Sequence, residues 1–458
     1  MIWLTQTEHL NLLMIKMRAF VIVALSLIST FLINAQQIIE HAPKDNIKSI
    51  KFFGSDSTEN FPLVALGQNI TLIFDDLNGD EADYYFKIKH FNHDWTPSKL
   101  FQNEFLVGYD NLRINNYNTS FNTIQTFTNY RLTLPNENIQ FRVSGNYLIE
   151  IYDSYEELVF SRRFCIYEEE ASVRAAVYRP QNMDRFNTHQ SLHFGITPFQ
   201  GVFRNPEQTV FVHILQNRQW DSNLSVSKPQ YFTGTTLEYR YETPTQFEGG
   251  NEYYFFDTKD LRITGPNISY TNLAQLYETY LNVNIPRKYQ NYTYAPDING
   301  GYEIRNIMRP GDPNTEADYS YVYFSLAADY ELNDNEIYIY GSFNNYHLSN
   351  NNRMYYNPSL EIYEGVLLLK QGFYNYKYVV KKDNQLDKNF LSGSNALTEN
   401  DYLILVYYRN IGSQYDALVA FGQVNSFQLD NYLFIYIRDI VFFITFRLNH
   451  LLITINKL

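Results

Sequence analysis

The chain has one cysteine, Cys165, among 458 residues. No internal disulfide is possible, so packing alone must hold the fold. Cys165 itself reads as a small strand residue. Histidine is also scarce, at nine. Only His90 and His93 cluster, in a His-x-x-His-Asp run with Asp94 that is a zinc candidate lacking third and fourth ligands. Basic residues are outnumbered, 36 against 49 acidic, for a net charge of −13. Such a surface is a poor partner for nucleic acid or anionic lipid. There is no GxSxG elbow, P-loop, strand-borne GxGxxG or HExxH, so no catalytic motif is legible. The paired carboxylates at 75–76, 80–81 and 168–170 fall in apparent turns or linkers, where solvated charge is the simpler reading.

No apolar run reaches the eighteen or so residues of a spanning helix. The longest, Ala19–Ile33, follows Lys16 and Arg18 and has the length of a signal h-region. Residues 1–35 therefore read as a signal peptide, with the true start at Met14 or Met17. Cleavage is expected after Ala35, and no cysteine follows to make a lipoprotein. The last stretch, 427–458, changes character to Leu, Ile, Phe, Asn, Tyr and Arg. It reads as a read-through tail, a short interfacial helix or a membrane anchor.

What is abundant is aromatic. Tyr numbers 41 and Phe 34, and both suit half-buried pleated surfaces. The expected class is all-β, two to three tandem β-sandwiches of immunoglobulin-like or E-set-like kind. The expected division is 36–170, 171–295 and 296–426, the first boundary at Glu168–Ser172.

Period-two alternation predicts strands at 47–53, 69–75, 84–91, 127–134, 146–152 and 158–167 in the first unit. On 84–91 it puts His90 on the core face with Tyr84, Phe86 and Ile88. The acidic loop DDLNGDEAD (75–83) reads as a hairpin connection or a weak calcium site, though it lacks the EF-hand spacing. Thr96-Pro97-Ser98 ends a strand, and Trp95 reads as a buried anchor. Residues 100–125 read as a long ordered loop rich in aromatics, Phe101, Phe105, Tyr109, Tyr117 and Phe121 among them. Residues 271–283 are helix or strand, 287–310 a linker, and 409–426 trail off without structure. In the third unit, Tyr340–Tyr346 (YGSFNNY) resembles the G-x-F-N-x-aromatic turn of starch- and glycogen-binding modules. Tyr374, Tyr376 and Tyr378 make an aromatic row that covers a sheet, meets a protein partner or stacks on sugar.

The run His90-Phe91-Asn92-His93-Asp94-Trp95-Thr96-Pro97-Ser98 resembles the H-C-[DN]-A-D-W-x-P-S signature of the type IX secretion system plug proteins. Segments 105–123, 130–135, 144–153, 249–262, 297–304, 317–326, 337–346, 370–378 and 398–418 are similar to that family too. Phe91 and His93 depart from its usual Cys and Ala, which counts against a metal site and thiol chemistry. The resemblance implies a periplasmic, non-enzymatic protein at the inner side of the outer membrane, without cofactor or small-molecule substrate. Its implied partner is the outer-membrane translocon β-barrel of that system, whose periplasmic mouth it would seal. His90, Asp94, Trp95, Pro97 and Ser98 are the expected structural signature. Phe101, Phe105, Tyr109, Tyr117, Tyr374, Tyr376 and Tyr378 are the expected partner contacts. A glycan-binding β-sandwich protein is the alternative.

Overall fold

The computed structural model describes residues 40–55, 61–109, 111–327, 332 and 335–428. The expected leader and the tail beyond Gln428 lie outside them. All the sheets belong to one compact unit that starts at Ala42.

The chain is built from β-sheets. The first sandwich packs a sheet ordered 47–53, 70–76, 128–134, 117–119 against one ordered 63–65, 158–167, 145–153, 84–91, 112–113. Ile70, Leu72 and Phe74 from one sheet meet Phe86, Ile88, Tyr147 and Phe164 from the other in a single core. Alternate residues point to opposite faces of a strand, so the apolar rows seen in the sequence become the two inner faces.

The second sandwich differs from the expected contiguous unit. One sheet is ordered 171–178, 189–198, 236–239, 231–233. Its mate pairs Val210–Gln216 with Asp401–Tyr408, and Asp401–Tyr408 with Ala417–Asn425. The region expected to trail off thus supplies a nine-residue strand. Val406, Val419 and Ala420 fill the same core as Ile196 and Val212.

The third sandwich is one ten-stranded sheet that runs from Tyr254–Asp257 to Ile268–Leu273. It folds over so that Phe256 and Tyr376 pack on Phe324, at 5.8 and 5.0 Å between rings. Residues 254–281 belong to it, so the expected boundary at 295 has strands of one sheet on both sides. The ambiguous stretch 271–283 is a hairpin, Ile268–Leu273 with Tyr277–Leu281.

A buried ion pair ties the first sandwich to the third. Asp75 sits at the end of its strand, fully buried, not in a solvated turn. Its carboxylate accepts from Lys370 Nζ at 2.6 Å, Tyr319 OH at 2.6 Å and Asn129 Nδ2 at 2.6 Å. Asp76 is likewise inside, holding Asn46 and Tyr84. Burial lowers the Lys370 pKa despite the Asp75 charge, so desolvation outweighs the attraction. Such a pair specifies geometry more than it adds stability, and removing one partner is costly. Lys370→Met should therefore lower unfolding free energy by ~3 kcal/mol or more. Lys44→Met, which breaks the part-exposed pairs with Asp153 and Glu157, should cost under ~1 kcal/mol. Urea titration compares them, and equal costs would contradict the assignment.

Candidate functional site

The signature run closes a tight reversal at the end of strand Tyr84–Phe91. Asn92 N–H donates to Thr96 O, Trp95 N–H to Asn92 O and Ser98 N–H to His90 O. Asp94 Oδ1 accepts from both the backbone N–H and the hydroxyl of Thr96, at 3.0 and 2.6 Å. Pro97 bridges back to Phe91. Trp95 adopts φ +62°, a conformation disfavoured for a bulky residue and held here by this hydrogen-bonded loop. The reversal places His93 and Trp95 at the edge of their own sandwich, with Trp95 still against Phe91 at 6.0 Å.

Both rings enter the second sandwich. His93 stacks flat on Phe211, 3.8 Å between centroids at 5°. Its Nδ1 lies 3.0 Å from His213 Nε2, and its backbone N–H donates to Asp416 Oδ2. His213 Nδ1 faces Asn223 Oδ1 at 3.0 Å. If that nitrogen donates, His213 Nε2 must accept and His93 Nδ1 must carry the proton, so the network selects both tautomers. Asp416 is fully buried and held by Arg409 at 2.6 and 2.9 Å. Trp95 packs edge-on against Trp220 at 5.0 Å, with the Arg163 guanidinium over both rings. One strand away, Asn146 Oδ1 accepts from Tyr407 OH at 2.6 Å and from the Cys165 thiol. The thiol is fully buried and its pKa pushed up to about 12, which leaves it inert.

The joint is histidine-rich. His90 is buried, with Nε2 3.2 Å from Ser144 O and Tyr147 edge-on at 4.8 Å. Gly145 fits beside it because a Cβ there would lie 2.5 Å from His90 Nε2. Burial lowers the pKa of His90 and of His213 to about 4, and lowers that of His93. No three His, Cys, Asp or Glu among the described residues are arranged to hold a metal. His93 spends its ring on Phe211 and His213.

The expected partner contacts divide. Phe101 and Tyr109 are 76% and 79% exposed, so they can meet a partner. Tyr117 lies half-buried on an edge strand, its hydroxyl on Glu81 at 3.1 Å. Phe105 is a correction. It ends the one-turn helix Gln102–Phe105 and is buried beside His90 and Tyr147. Tyr374, Tyr376 and Tyr378 are a second correction, at 1%, 0% and 2% exposure. Their row faces inward. Tyr374 stacks on Phe256, while Tyr376 and Tyr378 both donate to Asn284 Oδ1 at 2.8 Å. Nothing of that row is left to stack on sugar or protein. The YGSFNNY turn is structural as well, since Asn344 Nδ2 caps Ile339 O and Tyr340 donates to Asp221 of the second sandwich. The far end of the aromatic loop is also a joint: Asp318 accepts from the N–H groups of Ile124 and Gln125.

Sequence reading missed the receiving side of the joint, Phe211, His213, Trp220, Tyr407 and Asp416. One signal was present: Asp416 lies in the family-like segment 398–418, which meets the signature run here.

A family model for the type 9 secretion system plug protein 1st domain matches residues 47–168, the whole of the first sandwich. A crystal structure of a hypothetical protein from Parabacteroides merdae is similar over 84% of this chain and 98% of its own, at 30% identity and TM-score 0.80. The chain belongs to the type 9 secretion system plug protein family. A comparison with curated proteins found no match. Membership gives the chain a role in type IX secretion, and in this chain the signature run is an interdomain joint. No helix among the described residues is long and apolar enough to cross a membrane.

The joint should be acid-sensitive. His90, His93 and His213 bind protons less readily folded than at their ordinary value of 6.5. The unfolded chain therefore takes up protons first, and stability present above about pH 6.5 is lost as the pH falls towards 4. His90 and His213 each contribute on the order of 3 kcal/mol across that window. His213→Gln should lower the urea midpoint at pH 7.5, and the gap to wild type should narrow by pH 4.5. A gap independent of pH would contradict the buried neutral histidine.

Proposed function

We propose that the chain is a periplasmic plug that binds and seals the inner opening of the type IX outer-membrane translocon barrel when no cargo occupies it. The family match over the first sandwich carries this reading. Two features support it. A stopper for a protein-sized pore must not deform, and the three sandwiches are tied in pairs by the Asp75–Lys370, His93–His213 and Tyr340–Asp221 contacts. It must also present contact area while remaining releasable. Exposed Phe101 and Tyr109 offer aromatic anchors at low entropic cost. In this reading the protein acts by occupancy. It has no catalytic step, cofactor, nucleic acid or small-molecule substrate, and its leader takes it to the periplasm.

The test is co-purification from outer membranes extracted in mild detergent. A tag fits the exposed turn at Gly234, where an added Cβ meets nothing within 4 Å. The 409–416 loop is unsuitable because Arg409 and Asp416 belong to the joint. One very large β-barrel protein should come along. Phe101→Ala with Tyr109→Ala should weaken its recovery by about tenfold or more, equivalent to ~1.4 kcal/mol, with the urea midpoint unchanged. A tagged protein recovered alone and monomeric would refute the plug reading.

A further inference from the structure

Sheet edges carry unpaired backbone groups, and proteins protect them by shortness, charge, bulges or cover. Among the described residues the sheet edges follow that rule to different degrees. Edge strands 63–65, 112–113, 117–119, 224–226 and 231–233 have three residues or fewer. Ile47–Phe53 carries Lys48 and Lys51, Ala171–Tyr178 carries Arg174, and Tyr254–Asp257 ends in Asp257. Ala417–Asn425 is covered where the backbone N–H groups of Glu168 and Glu170 donate to Leu418 O and Val419 O. The least protected is Ile268–Leu273, six residues reading ISYTNL with no charge and no proline, where a register shift between Ile268 and Tyr270 leaves Tyr270–Leu273 as a regular, uncharged edge. It ends the ten-stranded sheet, paired to Tyr277–Leu281 on one side.

The register says which groups are free. Ala274 N–H donates to Leu276 O. Hydrogen-bonded pairs alternate along an antiparallel ladder. Asn272 and Tyr270, opposite Glu278 and Tyr280, therefore turn their backbone groups inward. Thr271 and Leu273 turn theirs to the open side.

The side chains beside this edge narrow the choice of occupant. Tyr270, Tyr280 and Tyr323 stack as a ladder across three strands, at 4.3 and 4.2 Å and 5°. The rings face one another and not the solvent, so they make a poor sugar platform. The ladder ends at half-exposed Tyr270. Next to it, Glu278 Oε2 accepts from Asn272 Nδ2 and Tyr280 OH at 3.1 and 3.2 Å. Glu278 is the only charged residue on the hairpin 268–281.

We propose that Ile268–Leu273 takes up an extended strand of the partner by edge pairing. That strand carries an arginine or an aromatic residue opposite Tyr270, continuing the ladder, and a cationic side chain beside Glu278. Main-chain bonds supply the affinity, and the ladder sets the register. The inference deepens the plug reading and rests on it for the partner's identity, the translocon barrel.

Hydrogen–deuterium exchange of the full chain, alone and with the purified barrel, tests it. In the complex, the Thr271 and Leu273 amides should exchange at least about tenfold more slowly. Tyr270→Lys, on an exposed position, should weaken binding by about tenfold or more while leaving the fold intact. A complex that forms without protecting these amides overturns the edge assignment and leaves the plug reading standing. Protection that rises with protein concentration in the absence of the barrel makes a second copy the occupant, and also overturns it. No complex at all removes the plug reading, and this inference with it.

Discussion

The arrangement of the three sandwiches depends on two rings reaching beyond the sandwich that made them. His93 and Trp95 sit on a tight reversal in which Trp95 adopts a left-handed backbone, and Trp95 keeps contact with Phe91 and Arg163 of its own sandwich. They find Phe211, His213 and Trp220 in the second sandwich. The strands that carry this wall come from residues 210–216 and 401–408, so the joint also fixes where a distant part of the chain must pair. The second sandwich cannot close until Asp401–Asn425 has returned to it.

The other joints follow the same logic of buried polar groups with named partners. Asp75 and Lys370 are each expensive to desolvate and tolerable only together. Asp318, Asn284 and Asn146 each satisfy donors from elements far away in sequence. Polar contacts of this kind are directional and tolerate little sliding, unlike apolar faces. Under the proposed plug role, joints that cannot slip would let the protein stand against an open pore without yielding.

Much of the fold was legible from alternation. Ile47–Phe53 and Tyr84–Phe91 have the expected bounds. The Tyr374–Tyr378 row shows where alternation stops being informative. A strand face reads the same whether it meets water or a second sheet, and the partners that make the buried hydroxyls acceptable are Lys370 O for Tyr374 and Asn284, about ninety residues upstream, for Tyr376 and Tyr378. Asp75 and Asp76 failed for the complementary reason: charge reads as solvent-facing until its partners are known, Lys370 for Asp75 and Asn46 with Tyr84 for Asp76. The shared strands of the second and third sandwiches were invisible because pairing partners leave no local trace. Ala417–Asn425 was missed because small and polar residues blur its pattern. The signature run was legible as important, but its purpose lay in its contacts with segment 398–418.

The most direct measurement of the plug account is the conductance of the purified translocon barrel in a planar bilayer, before and after adding this chain. The account predicts a large steady conductance that falls close to zero when the protein is added to the periplasmic face, with no effect from the opposite face. Unchanged conductance with the protein demonstrably bound would contradict it.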